Sequence, residues 1–63
     1  MNKCRYIVTW SSYDGLVWNK IYKYRKPAFT FANRLNFYTD AEITVEMQER
    51  KGEEWIMTER WTL

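Results

Sequence analysis

Histidine is absent from the 63 residues, cysteine occurs once as Cys4, proline once as Pro27, and glycine only twice. One cysteine excludes a disulfide within the chain, and the lack of histidine removes the usual metal-ligand clusters. So little glycine and proline, beside 46% hydrophobic and 19% aromatic residues, excludes a disordered tail. No run of about 20 apolar residues exists, so no helix is expected to span a membrane. The segment Met1–Tyr6 carries Lys3 and Arg5 but no long apolar stretch behind them, and does not read as a secretory signal. A free Cys4 fits a reducing compartment, so a cytoplasmic setting is expected. From Met1 to Leu63 the chain reads as a complete small reading frame, one compact domain over 1–63.

A domain this short buries only about 60% of the surface its unfolded chain exposes. Stability must come from the core, with self-association as a possible aid. Arg5-Tyr-Ile-Val-Thr-Trp10 is β-branched and aromatic and predicts a strand. Asp14-Gly15 follows as a hairpin signal, because both residues tolerate φ > 0. A two-residue turn there sets Tyr13 opposite Leu16, Trp10 opposite Asn19 and Val8 opposite Ile21. In that register Cys4, Tyr6, Val8, Trp10, Val17 and Ile21 share one face. Arg5, Ile7, Trp18, Lys20, Tyr22 and Tyr24 share the other.

Pro27 marks a helix start, since its missing N–H costs nothing at the first helical position. Ala28, Phe31, Ala32, Leu35 and Tyr38 then form one stripe at a period of 3.6, with Thr30, Asn33 and Arg34 off it. Phe29 flanks the stripe and Phe37 lies nearly opposite. Ala41, Ile43, Val45 and Met47 alternate with Glu42, Thr44 and Glu46, a strand dry on one side and wet on the other. After a charged loop around Glu49–Glu54, the run Trp55–Leu63 returns as a strand. An odd-length loop would set Trp55, Met57, Trp61 and Leu63 on the core face and pair Glu42 with Arg60 or Thr62. A tight Lys51-Gly52 turn would direct the tryptophans outward. The first register buries more apolar area and is the expected one. The result is an α+β fold: a single ββαββ domain whose antiparallel four-stranded sheet carries one helix on one face.

Catalysis is poorly supported. General acid–base chemistry most often uses histidine, which is missing. Cys4 has Lys3 and Arg5 beside it but no base, and reads as an ordinary strand residue. Glu49, Glu53 and Glu54 lack calcium-loop spacing and read as a solvated turn. No glycine-rich phosphate loop exists. The expectation is a protein that is not an enzyme and needs no cofactor.

The run Trp18-Asn-Lys20-Ile-Tyr22-Lys23-Tyr24-Arg25-Lys26 interleaves rings with cations. Single-stranded nucleic acid favours that pairing, because cations meet phosphates and rings stack on bases. Lysines on an edge strand also serve simply to block pairing with neighbours. Met1–Tyr38 holds seven basic residues and one acidic, whereas Thr39–Leu63 holds three basic and seven acidic. Such polarity steers a charged partner or favours head-to-tail association, unless the two halves neutralise each other within the sheet. Four tryptophans and five tyrosines exceed what one small core hides, and large exposed aromatics commonly anchor interfaces. Trp18, Tyr22, Tyr24 and Phe37 are the candidate anchors, with Lys20, Lys23, Arg25 and Lys26 as steering charges.

The segments Tyr6–Trp10, Pro27-Ala-Phe-Thr-Phe-Ala-Asn-Arg-Leu35 and Asp40-Ala-Glu-Ile-Thr-Val45 resemble small accessory proteins of phages and prophages. That resemblance implies a non-catalytic protein of the host cytoplasm that binds a host or defence protein, as anti-CRISPR inhibitors do. It transfers no site residue. Nucleic-acid binding through the basic-aromatic strand and a structural homo-oligomer, such as a homodimer, remain the alternatives.

Overall fold

The computed structural model describes residues 3–63; Met1 and Asn2, where the N-terminal reading above begins, lie outside them. The chain runs β1 (Cys4–Ser11), β2 (Val17–Tyr22), α1 (Arg25–Tyr38), β3 (Ile43–Lys51) and β4 (Glu54–Thr62). The strands form one antiparallel sheet in the order β2-β1-β3-β4, confirming the expected ββαββ domain. β1 and β3 are central, and β2 and β4 are the edges. Residues paired across strands share a face. The helix therefore covers Tyr6, Val8, Ile43 and Val45, which with Ala28 and Ala32 make the buried core. Ala28 and Ala32 are the wholly buried helical positions, and their small side chains let α1 approach the sheet closely.

The first hairpin departs from the expected register by one residue. Tyr6 pairs with Tyr22, Val8 with Lys20, and Trp10 with Trp18. The cause is a three-residue loop, Tyr13-Asp14-Gly15. Gly15 N–H donates to Ser12 O at 3.0 Å and Ser12 N–H to Leu16 O at 2.8 Å. Gly15 takes a φ of +89°, as in a type I turn closed by a left-handed residue. The shift moves Trp18, Lys20 and Tyr22 onto the helix side and directs Val17 and Ile21 to the open side. Phe31 of α1 then meets Trp10 edge-on at 5.3 Å and Tyr22 at 5.7 Å. The other register would have set Asn19 beside Trp10 beneath the helix, in place of a second indole.

The helix begins two residues before the expected Pro27, which sits in the first turn where helical N–H groups lack partners anyway. Its ends are poorly dressed. Tyr24 gives no side-chain cap, Arg25 and Lys26 occupy a first turn with no acidic residue, and no basic residue lies in the last turn. At the C-terminus, Thr39 N–H and Oγ1 both donate to Leu35 O, at 2.8 and 3.0 Å. Phe31 and Leu35 pack on the core as expected, and Phe29 joins them through an edge-on contact with Trp61 at 5.1 Å. Tyr38, expected on the stripe, is instead 75% exposed, because the helix ends there past the sheet.

The second hairpin combines both registers considered. A two-residue Gly52-Glu53 turn pairs Lys51 with Glu54 and Arg50 with Trp55, which sends Trp55 and Met57 to the open face rather than the core. Thr58 is then an extra residue in β4, because Gln48 pairs with Met57 but Met47 with Glu59. This β-bulge reverses the alternation, and Trp61 lands opposite Val45 on the helix side, as expected. Arg60 faces Glu46, and Thr62 faces Thr44, so neither pairs with Glu42. Leu63 is exposed just past β4, its N–H bonded to Ile43 O at 2.9 Å.

Candidate binding surface

Edge strand β2 presents Trp18, Lys20 and Tyr22 in a row on the helix side, since alternate residues share a face. The outer flank of α1 presents Lys26, Thr30 and Arg34 at successive steps of four residues, hence in a second row beside the first. Between the rows lies an open groove of about 530 Å³ lined by Lys20, Tyr22, Lys26, Pro27, Thr30, Phe31 and Arg34. Three cations border it and no carboxylate does. Its floor is the half-buried Tyr22–Phe31 pair, and Lys20 Nζ stands 5.3 Å and 5.1 Å from the two ring centres. A cation held over ring faces leaves its outward side open to an anion.

The residues singled out from the sequence do not all converge. Lys20, Tyr22 and Lys26 meet in this groove, with Trp18, 51% exposed, two residues along the same strand. Tyr22 serves as packing against Phe31 rather than as a free anchor. Lys23 and Tyr24 border a different depression of about 890 Å³ around the end of the sheet, with Lys3, Cys4, Arg5 and Trp55. Arg25 turns toward β4, its guanidinium 5.1 Å from the Trp61 ring and 5.3 Å from Phe29. Phe37 lies at the far end of α1, 82% exposed and edge-on to Tyr38 at 5.0 Å. Arg34, off the apolar stripe in sequence, joins the groove because it stands eight residues, two helical steps of four, from Lys26.

The opposite end of the molecule is acidic. A depression of about 540 Å³ beneath the helix C-terminus is bordered by Asp40 and Glu42, with Trp10, Ser12, Tyr13 and Thr39. Nearby, the Asp14 carboxyl is held below its usual range, first by the Ser12 hydroxyl and then by Leu16 N–H. Among the described residues no three His, Cys, Asp or Glu side chains are grouped to hold a metal ion. No helix among them is long and apolar enough to cross a membrane.

The chemistry available in the β2–α1 groove is thus recognition of an anion. Comparison with protein-family models, curated proteins and solved structures returned no match to this chain.

Proposed function

We propose that the protein is a small non-catalytic binding protein that modulates another protein by contact, its partner presenting an acidic segment to the β2–α1 groove. The observation that carries this reading is the convergence of Lys20, Lys26 and Arg34 on a groove without a carboxylate. Trp18, exposed two residues from Lys20 on the same strand, supplies apolar contact area of the kind that anchors interfaces, and the exposed Tyr24 borders the neighbouring depression. The sequence resemblance adds a setting: a phage product acting in the host cytoplasm on a host or defence protein, such as a CRISPR effector. Phe37 and Tyr38, exposed one turn beyond Arg34, do not line the groove and would extend the contact past its end.

A second reading, a nucleic-acid strand in the same groove, is favoured by the ring–cation–ring order of Trp18, Lys20 and Tyr22 on one strand face. One experiment separates the two. The tagged protein and its Lys26→Glu/Arg34→Glu variant are used to capture partners from bacterial lysate, with and without nuclease. A discrete protein that survives nuclease and is lost with the charge reversal supports the first reading. The same protein recovered equally by the variant overturns it. Recovery that nuclease abolishes transfers the groove to nucleic acid.

A further inference from the structure

The two edges of the sheet carry opposite charge and matching backbone groups. Along β2, Ser12 N–H bonds Leu16 O. Antiparallel alternation from that bond points the N–H and C=O of Val17, Asn19 and Ile21 away from β1. Along β4, the Leu63 N–H bond to Ile43 O sets the phase, leaving Arg60 and Thr62 with outward groups. Both edges are thus strands with unfilled ladders, a template for a further strand.

We propose that copies of this chain associate head to tail, β4 of one copy adding to β2 of the next. Each strand in the order β2-β1-β3-β4 is antiparallel to its neighbour, so β4 runs opposite to β2. A second copy in the same orientation therefore continues the antiparallel alternation and keeps its helix on the same side. Pairing outward groups with outward groups sets Arg60 against Asn19 and Thr62 against Val17. The intervening pairs, where side chains approach most closely, become Glu59 with Lys20 and Trp61 with Trp18. All four of these side chains lie on the helix side. One register thus joins an opposite-charge pair and an indole pair, and covers part of Trp18 and Val17, 51% and 66% exposed in the single chain.

The same charges select against other arrangements. Joining β2 to β2 would bring two basic halves together, and joining β4 to β4 two acidic hairpins. Head-to-tail contact uses two different surfaces, so it does not close on itself at two copies. With a twist of roughly 20–25° between adjacent strands, each four-stranded copy adds about a quarter turn, giving an open, coiling ribbon. The edge contact shares Lys20 and the neighbouring Trp18 with the groove reading, whereas Lys26 and Arg34 belong to the groove alone, so reversing the latter pair tests the groove reading separately.

The test is sedimentation of the full chain across a wide concentration range, with circular dichroism to verify folding. Wild type should show an average mass that rises continuously above 7.8 kDa. Lys20→Glu alone and Glu59→Lys alone should each weaken association by about tenfold or more, the equivalent of roughly 1.4 kcal/mol. An equimolar mixture of the two variants should restore it, because each edge again meets its opposite charge. Asn19→Pro removes an outward N–H without touching the β1 ladder and should stop growth. A wild type that stays at 7.8 kDa, or settles as a fixed dimer, overturns the proposal. So does association that ignores Lys20→Glu, or a mixture that remains monomeric. None of these outcomes alters the capture experiment with the Lys26 and Arg34 reversals.

Discussion

The Arg5 guanidinium lies over the Trp55 ring, 4.1 Å from its centre, and Arg5 Nε donates to Gln48 Oε1 at 2.8 Å. Gln48 Nε2 in turn donates to Glu46 Oε2. This chain of contacts runs across the face of the sheet that the helix leaves open. It accounts for an indole outside the core: the ring is covered by a cation instead of by α1, with Arg50 a second cation 5.4 Å away. On this open face the central strands are polar except for Ile7, which pairs with Ile21, and the remaining apolar residues Val17, Ile21 and Met57 lie on the edge strands.

Arg5→Lys should destabilise the protein despite keeping the charge. Lysine cannot supply both the planar stack on Trp55 and the bond to Gln48. A loss of about 0.5–1.5 kcal/mol is expected, read by urea unfolding. A shift of the Trp55 indole resonance would place the change at that ring.

Gly15 tests the first hairpin. Its φ of +89° lies where L side chains are strained, although an added Cβ would meet nothing within 4 Å. The cost of substitution is therefore backbone conformation alone. Gly15→Asn should be tolerated better than Gly15→Val, since asparagine visits positive φ more readily. A difference of about 1 kcal/mol in unfolding free energy is expected, and equal losses would contradict the loop geometry.

Asp14 gives the same loop a pH dependence. The Ser12 hydroxyl and Leu16 N–H hold its carboxyl below the usual value of 3.8. A depressed folded-state value means that the turn's contribution is fully present above 3.8 and fades as pH falls through the lowered one. An NMR titration of Asp14 should show a midpoint below 3.8, and Ser12→Ala should move it upward.

Core substitutions should act near the limit of what the fold tolerates. A domain of this size has a total stability of about 3–9 kcal/mol. Ile43→Ala, at a wholly buried position, should cost about 2–5 kcal/mol. Ala32→Leu should cost about 1–3 kcal/mol by lifting α1 off the sheet. Phe37→Ala, at an exposed ring, should change stability by less than about 0.5 kcal/mol. Thermal unfolding of the three variants gives the ranking directly.

The architecture was legible because its signals are periodic: the strict alternation from Ala41 to Met47 and the 3.6-residue spacing of Ala28, Phe31, Ala32 and Leu35. Each hairpin's departure in register comes from a single residue, a third loop residue in the first and the bulged Thr58 in the second. Asp14-Gly15 serves either a two-residue or a three-residue loop, and nothing local distinguishes them. Asn19 could have decided it, since one register seats that amide beneath the helix and the other seats Trp18 there. In β4, Trp55 and Trp61 have the same parity and would share a face in any regular strand. Thr58, the bulge that separates them, has no side-chain signature. The groove was half legible for a related reason: Lys20 and Lys26 stand in one run, but Arg34 joins them only through the helix's turn.

The placement of charge along α1 bears on when it forms. Cations at its start and none near its end oppose the helix dipole, and fourteen residues including three phenylalanine and tyrosine rings beyond Phe29 are marginal alone in water. During synthesis α1 leaves the ribosome before β3, whose Ile43 and Val45 supply the buried surface on which Ala28 and Ala32 rest. The segment therefore gains its helical form when β3 pairs with β1 and supplies that surface, before β4 adds the last edge of the sheet.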